Sequence, residues 1–322
     1  MTGLDTFRGA VLLQRGAEDL LAAAGGTTGT APDAGCTLST RFQVASVSKQ
    51  FTAAAILLLA DRGRLSVDDA VHRWLDGCPA SWNSMTIGHL LSHTAGLVHW
   101  LDLPGQDLTR PIAAEEELRI FADAPLLGAP GQRFSYSSPG YVLLAWIVER
   151  AADQSYASFL AREIFEPLAM VASFAGNGDG EPGLAAGHQA GGRVASFELD
   201  TVGLGAGDVW STVGDLARWD RAVASGRILA ESARRAMLAV QASIDERDEV
   251  IRTEGYGYGC FVGRDSGGRR VIYHTGDNAG FVAVNVWFPD DDVRLVVVSN
   301  EETTDLMAII RPALATAFPA SG

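Results

Sequence analysis

The sequence predicts an α+β protein in which one antiparallel sheet, flanked by helices, is built from both ends of the chain. Two runs with strand-like patterning open the chain, helical patterning fills the middle, and strand-like runs return before a last helix. This order favours a sheet shared by the two ends, with an all-helical domain inserted. The predicted boundaries are 1–62 and 206–322 for the sheet-bearing domain and 63–205 for the mostly helical domain.

Caps, proline and glycine bound the predicted helices. Gly63 suits the position after a helix end, Thr86 suits an N-cap, and Pro139 suits a first helical turn. Residues 104–111 and 125–132 contain Pro and Gly and predict loops. The apolar spacing predicts helices over 47–61, 87–93, 113–122, 139–152, 156–165 and 213–224.

The predicted strands lie at the two ends of the chain. Runs rich in β-branched and aromatic residues, bounded by turn residues, predict antiparallel strands over 7–14, 19–24, 256–262, 270–274, 281–288 and 293–299. A final helix is expected over 304–318.

Composition and charge exclude several classes of function. Of 322 residues, 47% are hydrophobic and 20% are charged, so a sizeable core can form. The net charge of −14 repels phosphate backbones and anionic membranes, so neither nucleic acid nor a membrane is an expected partner. The three cysteines form no C-x-x-C, which argues against a disulfide framework or a cysteine zinc site.

The sequence predicts no membrane anchor. The longest apolar run without charge, 51–60, is about half of the length that a membrane span needs. Residues 1–30 carry no signal-peptide pattern, because charged residues interrupt their only apolar stretch. A cytoplasmic protein is therefore expected.

Lysine usage singles out one position. Of 25 cationic residues, 24 are Arg and one is Lys49. Arg keeps its proton in proteins, whereas Lys can lose it when it is desolvated or placed near positive charge. A chain with a single Lys is expected to use a removable proton there.

Ser46 and Lys49 form the first candidate pair. Their i, i+3 spacing on one helix face lets the hydroxyl meet the amine. The unpaired N–H groups of the first turn, and burial under Phe42 and Phe51, favour the neutral amine. Such a pair is a nucleophile and its base, and the Ser46 N–H can be half of an oxyanion hole. The alternative is that Ser46 only caps the helix.

Tyr136 and Ser138 form a second candidate group, in a loop before a helix. Tyr136 can shuttle a proton between Ser46 and a leaving group, and Ser138 can donate a hydrogen bond to substrate or to Lys49. The alternative for Ser138, which precedes Pro139, is an N-cap.

His274, Thr275, Gly276 and Asp277 form the third candidate group, at the end of a predicted strand. A glycine there lets a ligand approach the strand, and the N–H that follows can be the second oxyanion donor. A hairpin turn with a half-buried His is the alternative.

Together, the three groups resemble one family, the serine β-lactamases and penicillin-binding proteins. The closest resemblance is to the branch of class C β-lactamases, DD-peptidases and family VIII esterases. Six segments look like family segments in the family order: FQVASVSKQFTAAAILLL, LLSHTAGL, FSYSSPGYVLL, IFEPLAM, GAGDVWSTVGDLARW and YHTGDNAGF.

The resemblance implies a β-lactamase/transpeptidase-like fold with the active site between the two domains, and a role for each candidate residue. Ser46 maps to the acylated nucleophile, Lys49 to its base and Tyr136 to the proton shuttle. Substrate contacts map to Ser138, His274, Thr275, Gly276 and Asp277, and the N–H groups of Ser46 and Asp277 map to the oxyanion hole.

Two positions depart from the family pattern. Ser138 stands where Asn is commoner and lacks the amide that grips a substrate carbonyl. His274 stands where many members have Lys and is less reliably cationic at neutral pH, which weakens binding of a β-lactam carboxylate. Both departures count against an efficient β-lactamase or cell-wall peptidase.

The resulting hypothesis is a serine hydrolase without metal or cofactor. It would act through a covalent acyl-Ser46 on small ester, amide or peptide-like substrates, with esters favoured. Two alternatives stay open. A transacylase would pass the acyl group to an amine or alcohol, and a binding or sensor protein would be acylated without turning over.

Overall fold

Strands from both ends of the chain pair in one sheet, so the predicted fold class is confirmed. The computed structural model describes residues 7–30, 34–103, 112–178, 180–190, 192–194, 203–247 and 250–319. Its strands are β1 (Gly9–Arg15), β2 (Glu18–Gly25), β3 (Phe42–Gln43), β4 (Phe174–Ala175), β5 (His188–Gln189), β6 (Gly192–Arg193), β7 (Val209–Ser211), β8 (Ala242–Arg247), β9 (Ile251–Tyr256), β10 (Phe261–Asp265), β11 (Arg270–Asn278), β12 (Phe281–Phe288) and β13 (Val293–Ser299). The main sheet has the order β2-β1-β13-β12-β11-β10-β9-β8, and its neighbouring strands are antiparallel.

The helices lie on both faces of this sheet and in the middle of the chain. They are α1 (Lys49–Asp61), α2 (Ile87–Leu91), α3 (Ala114–Asp123), α4 (Ser138–Ala152), α5 (Tyr156–Leu160), α6 (Val213–Ser225), α7 (Glu231–Leu238) and α8 (Met307–Ala317). A 3₁₀ turn, Ala45–Ser48, runs directly into α1, and a π-helical turn, Ala161–Phe165, continues α5. No helix in the described ranges is long and apolar enough to cross a membrane.

Three details of the sequence prediction were wrong or incomplete. The run predicted as one strand over 256–262 is instead the end of β9, a turn and the start of β10. Gly259 causes the break, because it has φ +77° and its backbone lies against α1, where a Cβ would come within 2.6 Å of the Lys49 carbonyl. The exposed edge strand β8 and helix α7 were not predicted. The loop predicted over 104–111 lies outside the described residues.

Both faces of the sheet are covered, which explains its long apolar strands. Val11 and Leu13 pack in a cluster with α8, whereas Ala10 and Leu12 point to the opposite face and join the larger core with α1. Successive side chains of a strand alternate between faces, so a strand buried on both sides is apolar throughout.

The larger core is continuous from the sheet into the helical middle of the chain. Helix α1 packs against α4, and both contribute to one hydrophobic cluster that also includes Trp219 and Phe281. The boundaries predicted at 62 and 206 stay a prediction. The shared cluster means that the helices hold the start of α1 in place against the sheet.

Val297 tests the contribution of the covered sheet to stability. It is fully buried between Val11 and Val284 on the neighbouring strands. Val297→Ala is expected to lower the free energy of unfolding by about 2 kcal/mol, because two methyl groups are lost and a cavity is left. Urea unfolding followed by tryptophan fluorescence measures the change.

The matched control is Val171→Ala, since Val171 is 91% exposed. The same chemical change at this position is expected to stay within about 0.5 kcal/mol. Equal losses in the two variants would contradict the packing described for the sheet.

Candidate active site

Ser46 lies in the 3₁₀ turn that leads into α1, and the backbone just before it is strained. Ala45 has φ +50°, a left-handed conformation that costs a non-glycine residue about 1–2 kcal/mol. Strand β7 supports the turn: the Val44 N–H donates to the Val209 carbonyl at 2.9 Å, and the Ser48 hydroxyl accepts from the Val209 N–H at 3.0 Å. Ser46 itself is half-buried and therefore reachable from solvent.

Lys49 is fully buried and joins three separate segments of the chain. Its Nζ lies 2.8 Å from Ser46 Oγ, 3.3 Å from Ser138 Oγ and 2.6 Å from the carbonyl oxygen of Ala206. Ser138 is the first residue of α4, and Ala206 lies in the loop before β7. The sequence predicted the contacts with Ser46 and Ser138, but not the contact with Ala206.

Burial favours the neutral amine of Lys49 over its charged form. Removal from water lowers the pKa of its ammonium well below the usual range, and the nearby carboxylate of Asp208 opposes this shift only in part. A neutral amine has two N–H donors and one lone pair. Two donors suffice for Ala206 and Ser138, so the lone pair is left for the Ser46 hydroxyl. This arrangement can take the proton of Ser46 when its oxygen attacks.

Tyr136 contacts the same hydroxyl from the opposite side. Its side chain forms a hydrogen bond with Ser46, and its ring centroid lies 5.1 Å from Lys49 Nζ. Burial raises the pKa of the phenol, although the hydrogen bond with Ser46 acts against the shift. Tyr136 therefore keeps its proton at neutral pH and can donate it to an oxygen or nitrogen beside Ser46.

The end of β11 passes beside the Ser46 turn. Strand β10 pairs with β11 only as far as Tyr273, so the residues after it have no neighbour on that side in the sheet. Gly276 uses the space: a Cβ there would lie 2.4 Å from the Val44 carbonyl oxygen and 3.1 Å from the Ser46 nitrogen. The bare backbone thus reaches the Ser46 amide. Thr275 and Asp277 on either side of Gly276 are exposed.

His274 is buried and neutral. Its Nδ1 lies 2.5 Å from the Thr275 carbonyl and must carry the proton, so Nε2 accepts from the Tyr256 hydroxyl at 3.0 Å. Burial, together with the proximity of Lys49, lowers the pKa of the imidazole to about 3. The ring therefore presents no positive charge, and the direct substrate contact predicted for His274 stays a prediction.

The loop before β7 fixes the carbonyl that receives Lys49. Asp208 is buried, and its Oδ1 accepts from the Gly205 N–H at 2.8 Å. Gly205 has φ +76°, and a Cβ there would lie 2.7 Å from the Ala145 methyl group. Asp208 thus holds a tight turn and also places a carboxylate near Lys49. Burial raises the pKa of this carboxyl to about 7.

Comparison with known protein families gives a match over nearly the whole chain. A family model described as Beta-lactamase matches residues 3–317. The chain belongs to the β-lactamase family. The resemblance inferred from the six sequence segments is thereby confirmed.

The relatives that match this chain include a penicillin-binding protein and an esterase. Penicillin-binding protein 4* of Bacillus subtilis (strain 168) is 29% identical over 282 residues, which are 81% of this chain and 61% of that protein. Esterase EstB of Burkholderia gladioli is 39% identical over 148 residues, 41% of this chain and 37% of the esterase. The chain thus spans less than two thirds of the length of these relatives. The crystal structure of a penicillin-binding protein from Bacillus halodurans matches with a TM-score of 0.81 at 25% identity, over 95% of this chain and 96% of that one.

Several groups at this β-lactamase-family site were missed or only partly understood from the sequence. His93 packs against Tyr136 with ring centroids 4.2 Å apart and accepts from the Ser137 N–H at 3.1 Å. His99 lies 5.8 Å from the Tyr136 ring, and burial and Lys49 lower its pKa to about 4. The sequence analysis assigned no role to Asp208, although it lies in the segment GAGDVWSTVGDLARW, or to Tyr256, because their approaches to Lys49 and His274 join residues distant in sequence.

Gly276→Ala tests the close approach of β11 to Ser46. The added Cβ would clash with the Val44 carbonyl, a backbone atom that cannot rotate away. We expect a displaced strand and a loss of about 10²-fold in kcat/KM for ester cleavage, since small misplacements are costly in a preorganised site. Gly35→Ala is the control, because Gly35 is exposed, lies outside the left-handed region, and its added carbon would meet no atom nearer than the Gly26 carbonyl oxygen at 3.8 Å. Full activity in Gly276→Ala would show that the strand does not border the reaction site.

Asp208→Asn tests the charge near Lys49. The amide keeps an oxygen for the Gly205 N–H but removes the carboxylate that holds the Lys49 pKa up. The Lys49 pKa should fall further, so the acid limb of kcat/KM, where the base becomes protonated, should move to lower pH by about one unit. A pH profile of ester cleavage measures the shift.

Asp208→Ala distinguishes the effect of the carboxylate charge on Lys49 from the effect of Asp208 on the position of the Ala206 carbonyl. It removes the acceptor as well, so activity should fall at every pH as the Ala206 carbonyl moves. An acid limb that stays in place or moves to higher pH in Asp208→Asn would contradict this account.

Proposed function

We propose that this chain is a serine hydrolase that cleaves small esters, and amides more slowly, through a covalent acyl-Ser46. The observation that carries the proposal is the fully buried Lys49 amine, 2.8 Å from the Ser46 hydroxyl, with a pKa well below its usual range. Membership of the β-lactamase family supports the proposal, as does the likeness to a protein named as an esterase.

The first half of the proposed reaction forms the acyl-enzyme. Ser46 Oγ attacks the substrate carbonyl while its proton passes to the Lys49 nitrogen. The oxyanion that results is stabilised by the backbone N–H groups of Ser46 and Asp277. The intermediate then collapses, and the leaving alkoxide or amine takes a proton from the Tyr136 phenol, which Lys49 reprotonates.

The second half releases the acid. Water adds to the acyl carbonyl and loses its proton to the Lys49–Tyr136 pair, and the bond to Ser46 Oγ breaks as that oxygen regains a proton. The net reaction is ester plus water to acid plus alcohol. Each proton that leaves a reactant returns to a product, and the side chains end as they began.

The polar groups around Ser46 favour esters over β-lactams. A neutral, buried His274 gives a substrate carboxylate no cation, and the Ser138 hydroxyl already contacts Lys49. Thr275 and Asp277 are the exposed side chains of this strand end, so we propose that they contact substrate together with Ser138. Asp277 would disfavour acyl groups with a negative charge.

Turnover of p-nitrophenyl butyrate, with intact mass taken in parallel, tests the proposal. Ser46→Ala should lose about 10³-fold or more in kcat and show no adduct. Lys49→Arg should fall by about 10²- to 10⁴-fold, because a guanidinium keeps its charge but cannot accept the proton. Ser243→Ala, an exposed serine on edge strand β8, is the control and should match the parent protein.

The same experiment distinguishes the alternatives. Release of one equivalent of p-nitrophenol with no further turnover, together with a stable butyryl adduct, would identify an acyl-binding protein rather than a hydrolase. A new butyryl ester or amide after an alcohol or amine is added would identify a transacylase. Equal activity of the parent protein and Ser46→Ala would overturn the assignment of Ser46.

A further inference from the structure

An open groove of about 760 Å³ lies away from Ser46, where helix α6 meets the turns at the end of the sheet. It is lined by Arg218, Arg221, Arg227 and Arg294, with Asp292 at its rim, and we refer to it as the basic groove. None of the candidate active-site residues lines it.

The register of the sheet separates the basic groove from the active site. Arg294 lies opposite Trp287 on β12, whereas Gly276 lies opposite Ala283 on the same strand. Trp287 and Ala283 are four residues apart, about 13 Å along β12. Arg294 on β13 and Gly276 on β11 lie on either side of β12, about 10 Å apart across the sheet. An occupant of the groove would not touch Ser46.

The charge of the basic groove is opposite to that of the whole chain. Four arginines and one aspartate line it in a chain of net charge −14. Arg294 pairs with Asp292, and Arg218 pairs with Asp215.

Two of the four cations have no acidic partner. Within the described part of the chain, Arg221 donates to the Gln14 side chain and Arg227 to the Pro167 carbonyl, and neither has a carboxylate within ion-pair distance. Burial lowers the pKa of Arg221, and so do Arg294 and Arg218 as like charges, while Asp220 and Asp19 act against the shift. Among the described residues, the guanidinium groups of Arg221 and Arg227 are therefore left without an ion pair.

We propose that the basic groove binds a small anion that carries phosphate or carboxylate groups. Planar guanidinium groups match such oxygens in bidentate pairs, and an anion would relieve the repulsion among the arginines. The volume lies within the range of small-molecule pockets. The overall charge of −14 repels extended polyanions, so a nucleic acid or an anionic membrane fits less well.

The groove is a binding site rather than a second catalytic site. Ser225 is its one hydroxyl-bearing side chain among the lining residues, and that hydroxyl donates to the Arg221 and Ala222 carbonyls. The competing explanation is that the arginines only stabilise the C-terminal end of α6, where cations are favoured by the helix dipole. The two explanations differ in whether an added anion binds.

Titration calorimetry of the full chain at low ionic strength, with inorganic pyrophosphate and with tricarballylate, tests the proposal. We expect saturable one-to-one binding of at least one probe, with Kd below about 1 mM. Arg221→Gln/Arg227→Gln should weaken it at least tenfold. Arg73→Gln/Arg235→Gln removes the same charge at exposed arginines outside the groove and should change Kd by less than twofold.

Each outcome decides the proposal. The proposal is supported if the parent protein binds pyrophosphate, tricarballylate or both and the groove variant does not. The probe that binds then shows whether the groove prefers phosphate or carboxylate groups. No saturable binding of either probe, or equal weakening in the two double variants, overturns the proposal and leaves the helix-dipole explanation. Arg227→Gln by itself replaces the double variant if that protein does not fold, because the Arg227 side chain is exposed and contacts only a backbone carbonyl.

Discussion

The candidate active site depends on one amine that is kept away from water. The ammonium form of Lys49 would need strong solvation. Within the described part of the chain, its fully buried position offers only three uncharged oxygen atoms, those of the Ser46 and Ser138 hydroxyls and the Ala206 carbonyl. Desolvation outweighs the attraction of Asp208, so the pKa of the amine lies well below its usual range. The three contacts come from the 3₁₀ turn before α1, from α4 and from the loop before β7. The basicity of this site is therefore a property of how the helical middle packs on the sheet.

A second constraint is the backbone contact between β11 and the Ser46 turn. Side chains cannot make it, since even a methyl group at Gly276 would overlap the Val44 carbonyl. An eight-stranded sheet with helices on both faces is stiff enough to hold a strand end in this position. On the other side of this contact, the backbone just before Ser46 is strained, because Ala45 has a left-handed conformation. Rigid support on both sides fixes the backbone N–H groups of Ser46 and Asp277, which we propose as the oxyanion donors.

The two sites that we describe use opposite electrostatics. Around Ser46, burial lowers the pKa of Lys49 well below its usual range and the pKa values of His274 and His99 to about 3 and 4, so positive charge is disfavoured there. In the basic groove the guanidinium groups stay charged because Arg does not give up its proton. The only lysine of the chain thus lies in one site, and the cations that line the other are arginines.

The sequence by itself determined the local features: the i, i+3 pair of Ser46 and Lys49, the helix starts, and a sheet built from both chain ends. These follow from periodicity, caps and spacing, which act over a few residues. The tertiary structure alone decided that Ala206 receives Lys49, that Asp208 lies beside it, and that His274 is neutral under Tyr256. It also decided that β9 and β10 are two strands, because Gly259 turns against α1. Each of these depends on burial and on contacts between residues far apart in sequence, where desolvation rather than residue type decides which groups are charged.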